Sequence, residues 1–529
     1  MKKKITLFVF LALFATLTLS GCDFLRPWIE PTTTSTQTTT TSTTSTSTRT
    51  TSTSTTSTTS TDYDDGDSLD YSGVGLKRLD DVLSHEKLKD LGVGIPSTGN
   101  RKAIVIPVEF KTHRTMLGKT FGPFKDEDLA KIELGFNGDS ESTGFESVSS
   151  FYYKSSYGKL NIDFDITEVI TLKDTFINYQ KREYGTYDII NEALEALDST
   201  IDFSQYDTNN DGKIDGVYIV YSVPYGGSPN ANGIDRVSGY DEDFWWAWVD
   251  WALDDSIEVD GVKANYFMWA SVDFFNDELT DDEYIDVNAT TFIHETGHML
   301  GLDDYYDYEY DYHVERGEVV STGFIGGVGG ADLMDATVGD HTPISKILLD
   351  WITPTVVTES GTYQLVSLQD SIGEGQHQVL LIPKAWNESY FSEYYLVDFY
   401  TPTGLNEAFK GYKGLFSESG VRIYHIDATV SSKEGDQFNK DYWTLFSYNN
   451  STSEHLFIKL MEGDDNHSLE TFVRYPSGNY YPADATDDDL FYEGQSFGSG
   501  NTWYDGTSFG YTISIDSIED GVATITITK

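Results

Sequence analysis

Apolar residues fall into separated groups along this chain, and their spacing changes character as it proceeds. Ile5 to Leu19 is a continuous apolar run behind Lys2, Lys3 and Lys4. From Pro31 to Thr61 apolar positions vanish and almost every residue is Thr or Ser. Leu76 to Leu91 has a weak helical period, and Ala103 to Phe110 then reads as a buried strand. Ser147 to Leu160 predicts a helix stopped by Gly158, and Leu160 to Thr167 alternates as a half-buried strand does. Tyr187 to Leu197 has apolar residues at helical spacing, Val217 to Val223 and Tyr266 to Val272 read as buried strands, and Ala289 to Leu300 reads as a helix. After about Pro354 the helical period is lost. Tyr363–Leu368, Gln378–Ile382, Tyr394–Tyr400, Val421–Ile426, Tyr511–Ile515 and Val522–Thr528 are short strands between Gly, Asn, Asp and Ser turns. The pattern predicts an α+β domain over residues 101–355 and an all-β C-terminal domain over 356–529.

The opening run is too short to span a bilayer comfortably, and its charged start marks an export signal. It ends in Leu19-Ser20-Gly21-Cys22, which resembles a bacterial lipobox. Residues 1–21 are therefore expected to be a lipoprotein signal peptide, with Cys22 carrying the lipid. Residues 22–61 then form a disordered Thr/Ser stalk, and residues 62–100 an acidic N-terminal segment. The expected location is the outer face of a bacterial cell membrane, with membrane contact through the N-terminal lipid only. Cys22 is the single cysteine, so no internal disulfide is available. A net charge of −51 opposes nucleic acid as a partner and suits an extracellular protein that binds calcium. A monomer is expected.

Chemistry concentrates in His294-Glu295-Thr296-Gly297-His298-Met299-Leu300-Gly301-Leu302-Asp303-Asp304. Residues four apart share a helix face, so His294 and His298 can turn two imidazoles to one cation. Glu295 stands where it can hold the attacking water rather than the metal. Gly301 can take a left-handed conformation, end the helix and bring Asp304 round as a carboxylate ligand. Asp303 is adjacent, but spacing favours Asp304. An open fourth position would mark a catalytic zinc site. His-acid-x-x-His alone arises by chance in roughly three of a hundred such chains; adding the glycine and the acid cuts this to roughly four in ten thousand.

A second metal pattern is Asp207-Thr208-Asn209-Asn210-Asp211-Gly212-Lys213-Ile214-Asp215. Oxygens at Asp207, Asn209, Asp211 and Asp215 can converge on a structural calcium ion, with Gly212 at the sharp turn. Tyr218 stands where a full EF-hand loop has Glu. An Asx-rich turn is the bland alternative. The acidic run Asp487-Asp488-Asp489 reads as solvated surface, and His341 and His425 lack ligand spacing.

These motifs, with Tyr152-Tyr153-Lys154-Ser155-Ser156-Tyr157-Gly158-Lys159-Leu160, Ala331-Asp332-Leu333-Met334-Asp335, Ile347 to Ile352 and Val421 to Asp427, resemble the immune inhibitor A family of secreted bacterial zinc metalloendopeptidases. The resemblance runs from about Arg101 to the C-terminus. It implies a zincin-like, metzincin-type α+β catalytic domain with zinc on His294, His298 and Asp304, and Glu295 as general base. It also implies Met334 in a Met-turn beneath the site, and protein or peptide substrates. The strand Tyr266 to Val272 is expected to pair with an extended substrate. The chain departs from the family at Asp303, where Pro is common, and at Ala336, where some metzincins have Tyr. Two other readings stand beside this one: a zinc hydrolase of a non-peptide substrate, and a catalytically silent surface lipoprotein acting as adhesin or binding module. Retention of His294, Glu295, His298 and Asp304 counts against the second.

Overall fold

A computed structural model describes residues 94–529, except 117, 183, 227–245, 251–256, 265, 277–286, 308–313, 316–317, 320–326, 387–388, 413, 431–445, 451–454 and 475–479. The export signal, Cys22, the stalk and the helical period at Leu76 to Leu91 lie outside the described residues.

The apolar segment starting at Ala103 becomes the core of β1 (Gly99–Glu109). It pairs in parallel with β2 (Leu160–Ile166) on one side and β3 (Val217–Tyr221) on the other. Next to β3 lies parallel β5 (Phe267–Ser271), and antiparallel β4 (Trp248–Asp250) closes that edge. The sheet order is β2-β1-β3-β5-β4, with Ile170–Thr171 also pairing to β1. Helices cover both faces, which is why β1, β3 and β5 are apolar without alternation. On one face Ile104, Ile106 and Val108 meet Ile189, Ile190, Ala193, Leu194 and Leu197 of a helix, Gly185–Leu197. On the other, Ala103, Val105, Tyr218, Val220 and Met268 lie beneath three helices: Asp126–Asn137, Val148–Ser155 and the motif helix Thr290–Met299. In chain order these four helices are α1 (126–137), α2 (148–155), α3 (185–197) and α4 (290–299).

One expectation is corrected. The strand expected to receive substrate, now β5, has neighbours on both sides, because Phe267, Met268 and Trp269 pair with Asp250, Val249 and Trp248. Its main-chain groups are already used in the ladder. The three-residue strand β4 takes the edge, and so short a run leaves no periodic trace in the sequence.

The later strands build two five-stranded sheets. Their strands are β6 (Thr355–Val356), β7 (Gly361–Val366), β8 (Gln376–His377), β9 (Val379–Pro383), β10 (Glu393–Tyr400), β11 (Gly420–Asp427), β12 (Ile458–Met461), β13 (Ser496–Phe497), β14 (Thr512–Glu519) and β15 (Val522–Thr528). The orders are β6-β9-β10-β11-β12 and β8-β7-β15-β14-β13. Leu380, Ile382, Val397, Phe399 and Ile423 face Ile513, Ile515, Ile525 and Ile527 across a sandwich core. The alternate residues Leu381, Leu396, Tyr424 and Ile426 join the core beneath α4. The described structure is thus mixed α/β with several sheets and few helices, which agrees with the expected α+β class, and one apolar core crosses the expected boundary near residue 355.

A buried polar group pins the two parts. Short helices α5 (Leu333–Ala336) and α6 (Pro343–Leu348) follow the motif helix. Lys346 on α6 is fully buried and donates to Ser155 O (2.6 Å), Ser155 Oγ (2.9 Å) and Asp340 Oδ1 (3.0 Å). Asp340 Oδ2 accepts from Gln369 Nε2 at 2.7 Å. Burial lowers the lysine's pKa against the pull of Asp340; burial also opposes the Asp340 charge, yet Lys346 holds that carboxyl below its ordinary value. Lys346→Ala leaves a buried carboxylate unpaired and should cost about 3–5 kcal/mol. A urea midpoint unchanged from wild type would show that the pair holds nothing.

Candidate metal centre

Helix α4 starts where Asn288 Oδ1 accepts from Thr290 N (2.9 Å) and Thr290 Oγ1 (2.8 Å). It stops at Gly301, whose φ of +93° suits a residue without a Cβ. Leu302 N donates to Gly297 O (3.0 Å) and Gly301 N to His298 O (2.9 Å), the pairing of a Schellman cap. The cap turns the chain so that Asp304 faces the helix it has just left. The expected role of Gly301 is met.

The two imidazoles are held from behind. His294 Nδ1 lies 3.0 Å from Leu333 O, and His298 Nδ1 lies 2.8 Å from Leu302 O. A carbonyl oxygen only accepts, so each Nδ1 carries the hydrogen and each Nε2 presents a lone pair. These Nε2 atoms lie 3.0 Å and 3.3 Å from one oxygen, Asp304 Oδ1. Two lone pairs and a carboxylate oxygen at that range repel one another unless a proton or a cation lies among them. Ligands about 2.0–2.1 Å from a tetrahedral zinc sit about 3.3 Å apart, so the separations and the N, N, O donor set fit the ion. His294, His298 and Asp304 form one of two groups of metal-ligating side chains among the described residues whose ligand atoms all lie within 4.8 Å. Asp304, not Asp303, joins the histidines.

Burial is nearly complete at His294, Glu295 and Asp304. It pushes the Glu295 carboxyl up, with His298 and His294 opposing, so this group holds a proton more readily than an ordinary glutamate. Burial also opposes the Asp304 charge, but His298 and His294 outweigh it and keep that carboxyl well below the usual range.

Met334 sits at the second position of α5, after Asp332 caps the helix by accepting from Met334 N at 2.7 Å. Its thioether rests against the motif helix: a Cβ added at Gly297 would lie 2.5 Å from Met334 Sδ. Met334 O accepts from Tyr305 N (2.9 Å), next to Asp304, so the methionine turn also fixes the ligand loop.

The Asp207 to Asp215 loop is built differently. Asp207 accepts from Asp211 N and Gly212 N (2.9 Å each), and Asp211 from Lys213 N (2.8 Å). Asp215 accepts from Thr208 N (3.3 Å) and Thr208 Oγ1, and burial raises its pKa to about 7. The Asp211 bond to Lys213 N is an Asx turn and the others span longer stretches of the loop, which is not among the close ligand groups. Calcium there gains no support from this geometry.

Several positioning roles are not legible from residue type or spacing, Tyr152 entering the sequence reading only within a motif of the resemblance. Tyr152 Oη donates to Ile293 O at 2.7 Å, tying α2 to the motif helix. Thr296 Oγ1 donates to Phe292 O (2.7 Å), so the 3.1 Å contact with Tyr218 Oη uses the tyrosine proton. The carbonyls of Leu333 and Leu302 are main-chain atoms that no residue type announces. His341 proves to be core, ringed by Phe151, Tyr152 and Trp351.

No family model matches the chain. It is similar to Immune inhibitor A of Bacillus thuringiensis subsp. alesti, 26% identical over 274 residues. The match covers 46% of this chain and 39% of that protein, so the chain spans about two fifths of the length of the curated relative it matches. This distant, partial likeness supports the resemblance to the immune inhibitor A family that the motifs carry.

Gly297→Ala should force the buried Met334 aside and cost about 1–3 kcal/mol as overpacking. Adding Met334→Ala should recover part of that loss, giving a non-additive pair in thermal melts. Strict additivity would mean that the two side chains do not compete for the same space.

Proposed function

We propose that this chain is a zinc-dependent metalloendopeptidase with a zincin-like catalytic domain, acting on extracellular proteins and tethered to the cell surface by lipid on Cys22. The observation that carries the proposal is the convergence of His294 Nε2, His298 Nε2 and Asp304 Oδ1 beside a buried glutamate. A structural metal site has no use for such a group next to its ligands. The likeness to Immune inhibitor A supports the same reading.

When bound, zinc would be held by His294, His298 and Asp304 and would supply a more acidic water and a polarised scissile carbonyl. Glu295 takes the water's proton and returns it to the leaving amine. The Leu333 and Leu302 carbonyls keep both imidazoles in the metal-binding tautomer. Asp304 offsets positive charge from a position where burial makes each interaction count. An extended substrate pairs with edge strand β4, whose inner side alone is used by β5 among the described residues.

The test incubates the chain with casein, with zinc present, beside Glu295→Gln and His298→Ala, and reads new peptide N-termini by mass spectrometry and metal by elemental analysis. Wild type should cleave. Glu295→Gln should retain zinc while turnover falls by about 10²–10⁴-fold. His298→Ala should lose both zinc and cleavage. Zinc bound without cleavage by wild type would favour the silent binding module, and cleavage by Glu295→Gln at the wild-type rate would remove Glu295 as the base.

A further inference from the structure

The second close group of ligand-type side chains is far along the chain from the first: Glu462, Asp464 and Asp489, with one carboxylate oxygen from each lying within 4.8 Å of the others. Glu462 and Asp464 flank Gly463 just after β12, and Asp489 ends a capped turn, Asp487–Asp489. The sequence reading took Asp489 as solvated surface, whereas it is 1% exposed. One of its oxygens, Oδ2, caps that turn by accepting from Thr486 N (2.7 Å) and Thr486 Oγ1 (3.3 Å). The other, Oδ1, is buried and accepts no hydrogen bond. Among the described residues no Lys or Arg nitrogen lies within 4.0 Å of any of the three carboxylates.

Three carboxylates at this separation repel strongly where one of them has lost its water. Burial and the charges of Glu462 and Asp464 raise the Asp489 pKa, which is the cost of holding three carboxylates together with one oxygen, Asp489 Oδ1, left without a donor. We propose that Glu462, Asp464 and Asp489 form a calcium site, distinct from the His294 centre. Oxygen-only donors favour a hard cation over zinc, and carboxylates from two separate loops suit the variable geometry of calcium better than the rigid octahedron of magnesium. Glu462 and Asp464 also accept hydrogen bonds: Glu462 Oε2 from Ser468 N at 2.5 Å and Ser468 Oγ at 3.1 Å, Asp464 Oδ1 from Asn466 N at 3.1 Å and Asp464 Oδ2 from Asn466 Nδ2. These bonds aim the carboxylates as outer-shell partners aim a ligand.

The ion would clamp the end of β12 to the Asp487–Asp489 turn, a closure already started by Gly463 N donating to Asp489 O at 2.9 Å. From β12, Leu460 N donates to Gly327 O (2.9 Å) and Ile458 N to Asn450 Oδ1 (3.1 Å). Asn450 Nδ2 in turn donates to Tyr305 O at 2.7 Å, beside the ligand Asp304. The site thus braces the strand that supports the catalytic loop.

The test uses the full chain, stripped of metal and then given calcium alone, beside Glu462→Gln/Asp464→Asn. These isosteric changes keep an acceptor for Ser468 N and for Asn466 N, and lose only the exposed contact of Asn466 Nδ2 with Asp464 Oδ2. Equilibrium dialysis with radioactive calcium should show wild type binding one more ion per chain than the variant, with an affinity on the order of 10⁻⁴ to 10⁻³ M, as in extracellular modules. Asp211→Asn, a control in the other acidic loop, should retain that ion. Equal stoichiometry in wild type and the double variant overturns the proposal. Melting guards against misfolding: without calcium the variant should melt no lower than wild type, since repulsion has been removed, and with calcium the wild type should melt higher. A variant that melts lower by the same amount with and without calcium would mean that the carboxylates serve only as hydrogen-bond acceptors, which also overturns it.

Discussion

The hydrogen bond from His294 to the carbonyl of Leu333 decides which nitrogen faces Asp304, and a closed circuit of contacts keeps that carbonyl in place. Asp332, immediately before Leu333, caps α5 and also accepts from Thr342 N at 2.6 Å. Thr342 opens α6, which carries Lys346 to the Ser155 carbonyl at the end of α2. Three residues back on α2, Tyr152 donates to Ile293 O, next to His294 itself. Every link is buried, so none is exchanged for water without cost. The arrangement holds His294 in one orientation through buried contacts alone, as the outer partners of a candidate ligand do.

The C-terminal sandwich belongs to this circuit. Strands β10 and β11 are buried on both faces, one against the second sheet and one against the core beneath α4. The tie between Asp340 and Gln369 brings a C-terminal side chain to the same polar group that positions α2. Whatever else this part of the chain does, its removal would expose the apolar faces of Leu381, Leu396, Tyr424 and Ile426 to water. Bracing is therefore built into its packing.

The legible parts of the sequence were those in which one physical rule acts locally. Period-two and unbroken apolar runs located β1, β2, β3, β10, β11 and β15 to within a few residues. Fourfold spacing set His294 and His298 on one face, and the glycine at 301 foretold the cap. Legibility failed where the deciding contact lies far away in sequence. Strand β4 is three residues long and is defined by its partner, so the edge of the sheet was misassigned to β5. Asp489 looks like its exposed neighbours in an acidic run, and only the approach of Glu462 and Asp464 from another loop distinguishes it. The Asp207 loop stays open: a pattern of alternating oxygens satisfies a metal-loop template and a hydrogen-bonded turn equally, and backbone N–H groups donate to Asp207 here. Gly297 gave no hint that it makes room for Met334, thirty-seven positions later by the numbering.

Charge and crosslinking form one problem in this chain. With a net charge of −51 and a single cysteine, it has strong self-repulsion and no internal covalent staple. A cation shared by side chains from two segments answers both needs: it neutralises carboxylates and closes a loop in the folded state that the unfolded chain leaves open. The two close ligand groups, His294 with His298 and Asp304, and Glu462 with Asp464 and Asp489, stand at opposite ends of one connected path through Tyr305, Asn450 and β12. If both proposed sites fill, bound ions would take the place that disulfides hold in many secreted proteins. Their loss would loosen the ligand loop before it unfolded the sheets, because the sheets rest on apolar burial and the loop on the bonds among Tyr305, Met334 and Asn450.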